Sequence, residues 1–338
     1  MIKRVRTGVL GVGRIGRLHA ENIIFSLNNI AEIVSVSDIN YDSAKVWAHR
    51  LGIGKVYCDY NDVINDPEVD AVLICTSTET HAQISIDAAR AGKHIFCEKP
   101  IDFDLERIDS VLEAVKESEV IFQVGFNRRF DHNFRNLKSM VKEGKIGKPH
   151  IIKITSRDPA PPPIDYIKSS GGMFLDMTIH DFDMARFIAE SEIKEVYVSA
   201  DVMVDPAIGQ AGDVDTAVIV LKFENGVIGV IDNSRKAAYG YDQRVEVFGP
   251  KGCVTADNDT PSNVTLSISE GVISDKPKYF FLERYKDSFI TELGEFFECI
   301  INDKAPSVTG IDGLKSVIVG LAAKESYRCG KPIAITNG

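Results

Sequence analysis

The chain is poor in the features that would mark it as secreted, membrane-embedded or nucleic-acid-binding. It has six cysteines in 338 residues: Cys58, Cys75, Cys97, Cys253, Cys299 and Cys329. No two form a CxxC pair and none sits with histidine at zinc-ligand spacing, so neither a disulfide framework nor a closed metal site is expected. Scattered thiols at the ends of apolar runs suit a reducing cytoplasm. No uncharged apolar stretch is long enough to cross a bilayer. The basic start Met1–Arg6 leads directly into a strand-like run, so no secretory leader is expected. Positive charge is also short: the net charge is -10, which argues against nucleic acid or an anionic membrane as the main partner.

What is present is ordinary globular composition, 44% hydrophobic and 26% charged, at a length that suits two domains. Residues 1–125 alternate short apolar strands with helical patterns. Strands are predicted at Val5–Leu10, Ile33–Val36, Ala71–Cys75, His94–Cys97 and Val120–Val124. Helices are predicted at Ile15–Leu27, Ser43–Leu51, Thr80–Ala91 and Leu105–Glu117. Continuous apolar strands separated by helices indicate an α/β Rossmann fold, a doubly wound parallel sheet covered on both faces. From residue 126 to 338 the rhythm changes. Longer strands are predicted at Pro149–Ser156, Glu195–Val204, Thr216–Phe223, Val227–Asn233 and Arg244–Phe248, with a hairpin turn at Gly226. One helix is predicted over Met173–Ala189 and two more over Ser288–Ile301 and Asp312–Arg328. This pattern predicts an α+β domain with a large, mostly antiparallel sheet, whose C-terminal helix could return to the first domain.

Gly11-Val12-Gly13-Arg14-Ile15-Gly16 fits GxGxxG between a predicted strand and a predicted helix. Gly11 suits the tight turn, Gly13 close approach to a pyrophosphate, and Gly16 close packing of helix on strand. Asp38 ends the second strand, where a carboxylate accepts hydrogen bonds from ribose hydroxyls and repels the extra phosphate of NADP. NAD is therefore the expected cofactor. Thr76 and Ser77 follow the next long strand and could line the nicotinamide side, while Thr78 could instead cap a helix. Glu98 and Lys99 follow the fifth strand. The cofactor-side candidates are thus Gly11, Gly13, Arg14, Ile15, Gly16, Asp38, Thr76, Ser77, Glu98 and Lys99.

Oxidising an alcohol needs a base for the hydroxyl proton and a hydride acceptor. His180 can take a proton near neutral pH. Asp176, four residues earlier in a predicted helix, shares its face and would orient the imidazole. Asp183 either extends that face toward a polyol or pairs with Arg186. Lys99 brings a positive charge and three donors that can hold the reacting oxygen. Lys99, Asp176 and His180 are the catalytic candidates. Asn127, Arg128, Arg157, Asp158 and Tyr241, with Asp176 and His180, are the candidates for binding a substrate rich in hydroxyls. Arg128 and Arg157 could equally be interdomain salt-bridge residues.

The glycine fingerprint, Glu98-Lys99-Pro100 and Asp176-x-x-x-His180 together resemble the Gfo/Idh/MocA oxidoreductase family, over essentially the whole chain. Within it, the sequence looks most like inositol 2-dehydrogenases. The matching segments are Gln123–Asp131, Ser156–Pro163, Gly171–Asp183 and Tyr239–Asp242. The resemblance implies catalytic roles for Lys99, Asp176 and His180, and substrate contact by Arg128 and Tyr241. It implies oxidation of a myo-inositol ring hydroxyl to a ketone, with scyllo-inositol, another cyclic polyol or an aldose as the alternative. A non-catalytic NAD sensor would need none of the three catalytic candidates. Some inositol dehydrogenases carry His-Arg-Asn where this chain has Ser156-Arg157-Asp158, which leaves the hydroxyl contacts open. Family members commonly bury the large sheet in an oligomer, so a homo-oligomer, with a tetramer favoured, is expected.

Overall fold

The computed structural model describes residues 4–336; Met1–Lys3, at the head of the basic start, lie outside the described residues. The chain divides into two compact units. Among the described residues, one comprises residues 4–127 and 287–315, the other residues 128–286 and 316–336.

In the first unit strands and helices alternate: β1 (Val5–Leu10), α1 (Arg14–Ser26), β2 (Ala31–Ser37), α2 (Tyr41–Arg50), β3 (Lys55–Tyr57), α3 (Tyr60–Ile64), β4 (Ala71–Ile74), α4 (Thr78–Arg90), β5 (His94–Glu98), α5 (Leu105–Ser118) and β6 (Phe122–Gly125). The six strands form one parallel sheet in the order β3-β2-β1-β4-β5-β6. The order reverses at β1, where chain and sheet direction part and ligands bind in such folds. β4 is buried at every position, as expected for a strand covered on both faces. The short pair β3 and α3 carries too little apolar periodicity to be read from sequence.

The second unit follows with α6 (His132–Lys142), β7 (Ile151–Arg157), α7 (Ile164–Ser169), α8 (Met173–Asp176), α9 (Ile179–Ala189), β8 (Ile193–Asp201), α10 (Pro206–Gln210), β9 (Thr216–Phe223), β10 (Ile228–Ser234), β11 (Asp242–Gly249), β12 (Gly252–Ala256), β13 (Thr265–Ile268), β14 (Gly271–Ser274) and α11 (Phe281–Arg284). The chain ends with α12 (Lys286–Asn302), α13 (Gly310–Cys329) and β15 (Ile333–Ala334). Seven strands form a sheet in the order β12-β11-β7-β10-β9-β8-β15. It is antiparallel except where β7 and β10 run parallel. β9 and β11 alternate buried with more exposed residues, so one face of this sheet is packed and the other is open.

α12 completes the first unit: its Leu293, Phe296 and Phe297 join Ile23, Leu73 and Phe96 in a fully buried cluster. Each such side chain contributes on the order of 1.5–3 kcal/mol on leaving water. The division between units falls inside α13, after Lys315.

One sequence expectation needs correction. The single helix predicted over Met173–Ala189 is two helices, α8 and α9, separated by Met177 and Thr178. No glycine or proline marks the break.

Candidate active site

The glycine fingerprint occupies the turn from β1 into α1, and each glycine meets a different demand. Gly11 has φ +84°, and a Cβ there would lie 2.8 Å from both Cys75 O and Thr76 N. A Cβ on Gly16 would come within 1.9 Å of the Gly11 carbonyl oxygen, so helix and turn pack backbone to backbone. A Cβ on Gly13 would meet no protein atom within 4 Å. The chain's own packing therefore does not require glycine at position 13, whereas a group approaching from outside would.

Gly13 is also the N-cap of α1, with no side-chain cap and no acidic residue in the first turn. The amide groups and positive end of the helix dipole are thus left for an anion. Gly13 and Arg14 are exposed and Ile15 is half-buried. Asp38 is fixed from two sides: Oδ2 accepts from Val12 N–H at 2.8 Å and Oδ1 from Asn40 N–H at 2.8 Å. Its carboxylate is thereby tied to the same turn, and the residues present fit a dinucleotide.

Thr76 and Ser77 follow β4. The Thr76 and Thr80 hydroxyls lie 2.7 Å apart, and Thr80 Oγ1 donates to Ser77 O at 2.8 Å. Helix α4 begins at Thr78, with Ser77 at the cap position making no cap bond. Capping by Thr78 is therefore not what the structure shows. His81 is buried between two strand-end segments, with Nδ1 2.8 Å from Pro100 O and Nε2 3.0 Å from Thr76 O. Burial pushes this imidazole below its ordinary range, despite the two carbonyls and Glu98. Glu98 turns inward: its Oε1 lies 2.8 Å from Nε2 of the fully buried His19 on α1. Lys99 follows at the end of β5, joined to Pro100 by a cis peptide bond.

The second unit holds Asp176 at the last turn of α8 and His180 in the first turn of α9. They stand on either side of a break, not on one continuous helix. A buried polar chain secures that break. Thr178 Oγ1 donates to Asn233 Oδ1 at 2.6 Å, and Asn233 Nδ2 donates to Asp181 Oδ2 at 2.9 Å. Arg128 Nη1 donates to Asp181 Oδ1 at 2.6 Å and Nη2 to Ser156 Oγ at 3.4 Å. Ser156 in turn donates to Gln243 Oε1 at 3.1 Å. Burial works against the Arg128 charge, but Tyr285, Tyr241 and Asp181 outweigh it and hold the guanidinium above the ordinary arginine range.

Asp176 is gripped by two groups that sequence reasoning missed. Tyr166 on α7 donates its hydroxyl to Oδ1 at 2.9 Å, and Arg235 Nη2 donates to Oδ2 at 3.2 Å. Arg235 Nη1 also donates to Asp158 Oδ2 at 3.2 Å. Burial and the nearby Asp176 charge push Asp158 up, although Arg235 opposes them. No local motif marks Tyr166 or Arg235; the only sequence signal is an arginine placed just past a strand end, where buried carboxylates would need one.

Arg157 is committed to Asp232 by two bonds, 2.8 and 2.6 Å, and reaches Tyr239 Oη at 3.0 Å. Tyr241 is buried with its ring edge-on to Tyr285, centroids 5.9 Å apart. Burial raises both phenols, Tyr285 to about 12. Asn127 is buried at the end of the first unit. Asp183 has Arg186 only at 4.0 Å. It is 1% exposed and bonded to Arg129 at 2.8 and 2.6 Å. Arg186 instead pairs with Glu192. Among the described residues no group of three His, Cys, Asp or Glu side chains is placed to hold a metal ion.

Together these features are a turn that fits a dinucleotide in one unit and a buried network of acids, arginines and tyrosines in the other. The family model for an oxidoreductase family with an NAD-binding Rossmann fold matches residues 5–126, and the GFO/IDH/MocA C-terminal domain matches residues 134–255. Myo-inositol 2-dehydrogenase of Thermotoga maritima is 52% identical over 95% of this chain and 96% of its own. Inositol 2-dehydrogenase of Rhizobium meliloti is 43% identical over 98% of this chain and 99% of its own. The structure of scyllo-inositol dehydrogenase from Lactobacillus casei, with bound NAD(H) and scyllo-inositol, superposes with a TM-score of 0.93. It is 31% identical and covers 99% of this chain and 100% of that one. The chain belongs to the Gfo/Idh/MocA family of oxidoreductases, with an NAD-binding Rossmann domain at its N-terminal end.

Proposed function

We propose that the protein oxidises one ring hydroxyl of myo-inositol to the ketone, with NAD as oxidant. The observation that carries this reading is 52% identity, over nearly the whole of both chains, to a myo-inositol 2-dehydrogenase. NAD, when bound, supplies the acceptor for the hydride. The turn of Gly11, Gly13, Arg14, Ile15 and Gly16 would hold its pyrophosphate and Asp38 its adenosine ribose. Thr76, Ser77, Glu98 and Lys99 would lie toward its nicotinamide end. Asp38 also disfavours the added phosphate of NADP.

The chain's own residues then handle the proton. His180 takes it from the reacting hydroxyl, Asp176 stabilises the resulting imidazolium, and Lys99 steadies the negative charge developing on oxygen. Asp158, Asn127, Tyr241, Arg128 and Arg157 recognise the remaining hydroxyls. A site built of such groups rejects analogues that leave them unpaired. Scyllo-inositol is the second reading, favoured by the Lactobacillus casei structure that holds it. The six cysteines, none in a disulfide, support residence in a reducing cytoplasm. Among the described residues no helix is long and apolar enough to cross a membrane.

The test is NADH formation from NAD with myo-inositol, scyllo-inositol, D-chiro-inositol, glucose and xylose, for the wild type and Lys99→Ala. Strong activity on an inositol is expected, with Lys99→Ala slower by about 100-fold or more while still binding NAD. No activity on any inositol would overturn the reading. The open face of the large sheet exposes Ile151, Tyr197, Val218, Ile228 and Phe248. Such a patch supports burial between copies, with a homotetramer favoured. A monomeric mass by light scattering at micromolar concentration would contradict it.

A further inference from the structure

Arg235 stands just past β10 with only 3% of its surface exposed, and its guanidinium is shared. One terminal nitrogen bonds Asp158, beyond β7, and the other bonds Asp176, at the end of α8, each at 3.2 Å. The two carboxylates come from segments that are distant in sequence, and this cation connects them. The surrounding elements add Tyr166 from α7, bonded to Asp176, and Asp213, whose carboxylate accepts from Met173 N–H at the start of α8. Arg128 and Tyr241 also act on Asp158, and Asp213 acts on Arg235. His180 and Lys99 are the other titratable groups of the proposed catalytic set. Two acids thus share one buried cation, and a lysine at position 235, being a point charge, could not grip both as the planar fork does.

We propose that Arg235 is a positioning residue of the dehydrogenase site, a two-pronged clamp that sets the spacing and charge of the Asp158–Asp176 pair. The proposal rests on the functional reading above for its kinetic consequences, though not for its electrostatic ones. Removing the clamp takes a positive charge away from Asp176, Asp158 and, through Asp176, His180. Every one of these groups then holds its proton to higher pH.

The experiment compares wild type, Arg235→Met, Arg235→Lys and Asp158→Asn. For each it records the pH profile of kcat/KM for inositol oxidation, NAD affinity and the thermal transition. Arg235→Met is expected to lose about 100-fold in kcat/KM at neutral pH, the cost of a misplaced site. Its acid limb is expected to move up by about one to three pH units. Arg235→Lys keeps the charge, so its acid limb stays near wild type while kcat falls. Asp158→Asn removes the competing anion and moves the acid limb down. A loss that is uniform in pH, or Lys and Met variants that behave alike, would show only a structural role and overturn the proposal. Titration of ¹³C-labelled aspartate carboxyls in the substrate-free protein separates this from failure of the functional reading. If no inositol is oxidised, an upward shift of the carboxyl titration in Arg235→Met, or in the equally uncharged Arg235→Gln if the Met variant does not fold, still supports the clamp. Curves that superpose on wild type reject it.

Discussion

The two units hold their candidate functional residues by different means. In the first, the candidates are set by the backbone. Gly11, Gly13 and Gly16 form one turn, and Asp38 is fastened to that turn by the Val12 amide. In the second, the candidates are side chains held by other side chains far away in sequence. Arg128 meets Asp181, Asp181 meets Asn233, Asn233 meets Thr178, and Arg235 joins Asp158 to Asp176. A site made from contiguous backbone carries its requirements in a short motif. A site made from a buried polar network distributes them over residues whose meaning appears only when the chain is folded.

The largest effect is expected where that network is cut. Asp181 is fully buried and is the ionic partner of Arg128, itself 5% exposed. Asp181→Ala leaves a guanidinium in the interior with no ionic partner there, and loosens Asn233 below the α8–α9 break. Breaking such a pair costs about 3–5 kcal/mol. Chemical denaturation of the isolated variant should show that loss, and activity should fall further because Asp176 and His180 flank the break. A loss below about 1 kcal/mol, the level of an exposed pair, would mean that the second unit does not depend on its polar chain and would erase the contrast drawn here.

The same contrast explains what was legible in the sequence. The Rossmann order, the cofactor turn and the large mostly antiparallel sheet were all readable, because apolar periodicity and glycine spacing are local signals. The division of the Met173–Ala189 helix was not. Met177 and Thr178 are compatible with a helix, and the break is secured by the tertiary bond from Thr178 to Asn233. The partner of Asp183 was hidden for a related reason. Three residues past His180, Asp183 shares a helical face by spacing, yet only the fold reveals that Arg129 claims both its oxygens. Tyr166 and Arg235 carried no local signal. The exposed hairpin of β13 and β14 was missed because its strands, four residues each, are exposed throughout and show no alternation.

The glycine turn offers the finer test, because two of its members should fail in different ways. At Gly16 an added methyl meets the Gly11 carbonyl oxygen, a backbone atom that cannot rotate away. Gly16→Ala must therefore push α1 off the turn, and overpacking of this kind costs about 1–3 kcal/mol. At Gly13 the same methyl meets nothing within 4 Å, and φ is -69°, a value open to any residue. Gly13→Ala should leave the denaturation midpoint within about 0.5 kcal/mol of wild type, as for a substitution that touches nothing. If the pyrophosphate approaches this backbone as proposed, its dissociation constant for NAD should still rise by about tenfold or more, since a methyl placed against a ligand is an overpacking of similar cost. Isothermal titration with NAD and denaturation of both variants would separate the two demands. Equal destabilisation at both positions, or unchanged NAD affinity in Gly13→Ala, would show that the turn serves packing alone.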